Sequence, residues 1–174
     1  MTHTHNSVAE NAMIIPSGVG MPVSSSLFAL AFADLLTVLD RHIACEADLE
    51  EVDLFDPAFR NWLDEADAAQ DALYEVLARI TGMTASCETD VPLRRMALIL
   101  ATLIREGRAS AFCRYAENHS EFALHLRVPP NGTASLQARR LIAAADMRIA
   151  TMARLHLYRQ DGDDLAADTP SLAA

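Results

Sequence analysis

The sequence predicts an all-α fold, a bundle of four to five amphipathic helices with a flexible N-terminal arm and an acidic C-terminal tail. Three observations carry that prediction. Thirty-one Ala and 22 Leu among 174 residues favour helix. A hydrophobic fraction of 51% is enough for a core and excludes global disorder. Apolar residues recur at helical spacing through most of the chain. The length fits one domain, read as an arm over 1–23, a bundle over 24–160 and a tail over 161–174.

Residues 1–23 mix Ser, Thr, Asn, Gly and Pro without periodicity, so they read as a flexible arm holding His3 and His5. Ser24, Ser25 and Ser26 offer caps for a first helix over 26–51. Phe28, Phe32, Leu35, Leu36, Leu39 and Ile43 fall on one face of it, which turns acidic at Glu46 and Glu50. Asp56 and Pro57 suit the start of a second helix. Phe59, Leu63, Ala66, Leu73, Leu77 and Ile80 form its apolar rhythm, and Gly82 its stop. Asp90 and Pro92 open a third helix over 91–118, with Gly107 as a kink or break. Residues 121–128 alternate apolar and polar in the period of a strand, but a lone strand is unstable, and a helix end or extended segment is preferred. Pro129-Pro130-Asn131-Gly132 is a turn, and a last helix over 133–160 follows, capped by Thr133 or Ser135.

The formal charge of −10 is unevenly spread. Residues 34–90 hold fifteen acids against three Arg, whereas 91–160 hold eleven Arg against four acids. Asp64, Asp67, Asp71 and Glu75 form an acidic row on the second helix, and Arg94, Arg105 and Arg108 a basic row on the third. Packed side by side, the two would neutralise one another. Left open, they would be partner-binding faces.

Several classes are excluded or disfavoured. No apolar run reaches about 18 residues, so a membrane span is not expected. No basic residue precedes Arg41, so the charged start of a signal peptide is missing. Cys45, Cys87 and Cys113 are too scattered for a disulfide framework, which points to a reduced, cytoplasmic setting. No Walker A, G-x-G-x-x-G or G-x-S-x-G motif occurs, and Cys113 with His119 lacks an orienting third group, so enzymatic function is not expected. Nucleic-acid binding is disfavoured by net acidity and the lack of a recognised motif. An acidic surface mimicking DNA would rest only on Asp64 to Glu75.

A metal site is the one chemical candidate. His42 and Glu46 stand four residues apart, and His156 falls on the apolar face of the last helix. Inward His and Glu from several helices can hold a divalent transition metal, although the Glu-x-x-His spacing of carboxylate-bridged bundles is absent.

Asp56-Pro57-Ala58-Phe59, Trp62, an amphipathic stretch to Ile80 and a turn before Leu93–Leu103 resemble small uncharacterised helical proteins of alphaproteobacteria. In those, an aspartate-proline-aromatic helix start is followed by a second helix after a Thr-rich turn. The resemblance covers residues 27–105. Arg94 and Arg95 stand where that family carries a Lys, and the segment after Gly107 has no counterpart. It implies a bacterial cytoplasmic setting and no particular activity. The expected function is therefore a non-enzymatic interaction or regulatory module for a protein partner. A homodimer would follow if one chain cannot cover the apolar face of the first helix. The alternative is the metal-binding bundle.

Overall fold

The computed structural model describes residues 25–53 and 57–159. The arm over 1–23, the tail over 161–174 and Asp56 lie outside the described residues. The described residues form seven helices and no strand. They are α1 (Leu27–Glu51), α2 (Phe59–Gly82), α3 (Asp90–Glu106), α4 (Ala109–Glu117), α5 (His119–His125), α6 (Thr133–Met152) and α7 (His156–Arg159). The four long helices, α1, α2, α3 and α6, make the bundle. The short ones are set off by breaks.

α1 begins where the serine run ends. Ser26 is extended, and its Oγ accepts a hydrogen bond from the Ala29 N–H at 3.0 Å. The same hydroxyl donates to the Asp90 carboxyl at 2.5 Å, and that buried group also accepts from the Ser86 N–H at 3.0 Å. One buried side chain thus joins the starts of α1 and α3 to the turn between α2 and α3. A buried carboxyl without such donors would carry a large desolvation cost.

Phe28, Phe32, Leu35, Leu36 and Leu39 of α1 are all buried. α2, α3 and α6 each pack against this helix. Its apolar face is therefore covered within one chain, so this face makes no demand for a second copy. α2 contributes Ala66, Ala69, Leu73, Leu77 and Ile80 to the core. Its first two turns stand clear: Trp62 is 36% exposed and Leu63 41%. The expected rhythm thus reaches the core only from Ala66 onward.

Gly107 divides what reads as one helix over 91–118 into α3 and α4. Its φ of +59° is left-handed, and its N–H returns to the Leu103 carbonyl at 2.9 Å. This is a glycine stop, because other residues meet their own Cβ in that conformation. The alternating stretch 121–128 is helical up to His125 and irregular after it. A one-sided strand would hide Leu124 with its neighbours, yet Leu124 is 70% exposed while Leu126 and Val128 are buried. The last helix also divides. α6 is capped by Gly132 rather than by Thr133 or Ser135, whose Oγ donates back to the Asn131 carbonyl at 2.9 Å. It stops at Met152, and the reversal over 153–155 lets α7 turn Tyr158 into the core.

Ser26→Ala is expected to lower unfolding free energy by about 2–3 kcal/mol, the cap plus one donor to a buried carboxyl. Urea denaturation followed by circular dichroism measures it; a loss below about 0.5 kcal/mol, the scale of an ordinary surface change, would refute the role given to this hydroxyl.

Candidate functional site

Two regions collect the residues with chemical potential: a buried histidine near the end of α1, and the charged outer faces of α2 and α3. His42 lies one turn beyond Leu39, continuing the apolar stripe, and is 0% exposed. Its Nε2 is 2.9 Å from the Tyr158 hydroxyl of α7. The two rings meet edge-on at 6.3 Å, and Tyr158 stacks obliquely on Phe112 at 5.0 Å. With the proton on Nδ1, Tyr158 donates to Nε2; with it on Nε2, the imidazole donates to the phenol oxygen. The other nitrogen, Nδ1, lies 3.8 Å from Glu46 Oε1 and has no hydrogen bond in the described structure.

Burial dominates the electrostatics. It pushes the His42 pKa below the usual 6.5 and so favours the neutral ring. It pushes the Glu46 carboxyl up, and repulsion from Asp67 and Glu50 adds to that. Tyr158 is raised too, by burial first and then by Glu46 and Tyr74. These groups sit in one neighbourhood that resists charge. His156 is close by: its backbone N–H donates to Glu50, and the residue lines a cleft with Glu46 and Glu50. The three residues expected as metal ligands thus share one end of the bundle, but His42 is buried while His156, expected on the apolar face, is exposed. Among the described residues, no group of three or more His, Cys, Asp or Glu side chains is arranged to hold a metal ion. Cys113 is exposed, while the His119 ring turns to Tyr115 at 5.9 Å and to Asp146 at 3.6 Å.

The charged rows stand apart. Asp64, Asp67, Asp71 and Glu75 are all exposed, and so are Arg94, Arg105 and Arg108. Among the described residues, no ion pair joins one row to the other. The neutralisation favoured by the charge pattern is therefore not made. Of the pairs that do form, Asp34 with Arg79 of α2 and Asp40 with Arg148 of α6 tie α1 to its neighbours, and Glu106 with Arg114 ties α3 to α4. Arg108 also leaves the basic row, because the Gly107 break places it at the start of α4.

Pattern reading missed Tyr158 as the partner of His42, because the expected helix over 133–160 hides the reversal that aims it. It also missed Asp90 as a buried group, since an acid beside a helix start reads as an exposed cap. No protein family, curated protein or solved structure matches the chain.

Tyr158→Phe would leave a buried His42 nitrogen unpaired and is expected to cost about 1–3 kcal/mol of stability, measured by chemical denaturation. A second expectation concerns pH. Since the folded pKa of His42 lies below 6.5, the unfolded chain binds a proton that the folded chain refuses. The histidine's contribution is complete above pH 6.5 and is lost as pH falls below it. Glu46 works oppositely, its raised pKa penalising the fold as pH rises past 4.5. His42→Asn should flatten the decline just below pH 6.5 in thermal melts, and an unchanged profile would contradict this.

Proposed function

We propose that this chain is a non-enzymatic interaction or regulatory module whose acidic α2 face binds a basic surface on a protein partner. One observation carries the reading. Asp64, Asp67, Asp71 and Glu75 line an exposed helix face that no arginine of the described chain pairs with. Trp62 and Leu63, half-exposed on the first turns of the same helix, add apolar surface beside the acids. Aromatic and apolar anchors within a charged rim are the usual composition of a protein interface. The partner surface complementary to this face is basic, and the exposed Arg94 and Arg105 of a second copy are one such surface.

A second reading is supported by the His42 Nδ1 atom, which is buried, lacks a hydrogen bond and faces Glu46. A divalent transition metal bound by His42, Glu46 and His156 would use that nitrogen. Elemental analysis of purified protein separates the two readings, since stoichiometric metal belongs only to the second.

For the first, affinity capture from the source cells is compared between the native chain and one carrying Asp64→Asn, Asp67→Asn, Asp71→Asn and Glu75→Gln. The native chain is expected to retain a basic protein that the neutralised chain loses. About 1 M salt, where screening shortens to about 3 Å, should release it. Equal retention by both chains would refute the acidic face as the binding surface. Sedimentation showing a monomer at all concentrations would exclude a second copy as the partner.

A further inference from the structure

A cleft of about 970 Å³ opens on another side of the bundle, between the start of α3, the segment 126–130 and α6. That volume is at the upper end of the range for small-molecule pockets. Its floor is apolar: Pro92, Leu126, Val128 and Ile142 line it and are all buried. The lip is stiff. Pro129 and Pro130 fix two consecutive φ angles and hold the residues before them extended, so the segment cannot wind into helix and fill the gap. Arg95 donates to the His125 carbonyl at 2.6 Å and Arg139 to the Pro130 carbonyl at 3.1 Å, one bond near each end of the segment.

The cleft is also basic, in a chain of net charge −10. Arg95, Arg127 and Arg139 all line it. Two acids line it too, Glu88 and Asp146. Asp146 is already engaged, accepting from the Tyr115 hydroxyl and lying 3.6 Å from His119 Nε2. Arg127 has no hydrogen bond or ion pair among the described residues, and its planar fork matches a carboxylate. No aromatic side chain lines the cleft, so it lacks the stacking platform of a nucleic-acid groove.

We propose that this cleft binds a small amphipathic carboxylate, with an aliphatic chain lying on the floor and the carboxylate held by Arg127. The site is separate from the acidic face of α2, so its fate does not depend on the partner reading.

The test is calorimetric titration of the full chain with decanoate, with uncharged 1-decanol of the same length beside it. Decanoate is expected to saturate one site. Arg127→Gln should weaken it about tenfold or more, the worth of one charge-assisted pair, without changing the thermal melt. Ala143→Trp, which places a large ring on the cleft wall from an exposed position of α6, should abolish binding. Loss of the headgroup in 1-decanol should cost a factor similar to the Arg127 change. Absence of saturable decanoate binding would overturn the proposal. So would 1-decanol binding as tightly as decanoate, or an Arg127→Gln chain that binds it unchanged.

Discussion

The burial of one face of α1 organises the molecule. From Phe28 to His42 this helix presents a stripe that must leave water, and at roughly 25 cal/mol per Å² of apolar surface no alternative arrangement competes with covering it. Three other long helices close around it. The two ends of the stripe are then secured by polar contacts whose cost of being unmade is high. At the start, Ser26 both caps α1 and satisfies the buried Asp90. At the far end, His42 Nε2 is satisfied by Tyr158, a residue 116 positions later. Apolar burial makes the bundle compact, and these two buried polar contacts select one register of helices, since a slip of either helix would leave a carboxyl or an imidazole unpaired.

Charge follows the same division between what the core needs and what it does not. The acids of α1 that flank the buried stripe, Asp34 and Asp40, find arginines on the neighbouring helices. These pairs are exposed on at least one side and contribute little to stability. Among the described residues the acids of α2 make no ion pair with any neighbouring helix, so no pairing in the fold requires them to be acidic. That is the physical reason for giving them a role outside the chain.

The breaks matter as much as the helices. Gly107 ends α3 so that α4 can bring Phe112 and Tyr115 back to the core, and the reversal after Met152 does the same for Tyr158. The proline pair at 129 and 130 acts in the opposite sense. By refusing helix it leaves a space between α3 and α6 that no side chain fills, and the arginines around that space make it chemically distinct from the rest of an acidic molecule.

The sequence by itself determined the all-α class, the four long helices, a serine cap for α1 among Ser24, Ser25 and Ser26, the stop near Gly82 and the core positions of α1. These follow from local spacing and capping chemistry, which act within a few residues and leave a readable period. Only the tertiary structure decided that Gly107 breaks a helix rather than bending it, and that 121–128 is a helix end with an irregular exit. It alone decided that Asp90 is buried, that His42 meets Tyr158, and that the acidic and basic rows do not meet. Each of these depends on which face of a helix ends up opposite which other helix. A rotation or a break of a few residues changes that pairing completely while leaving the local pattern of the chain untouched.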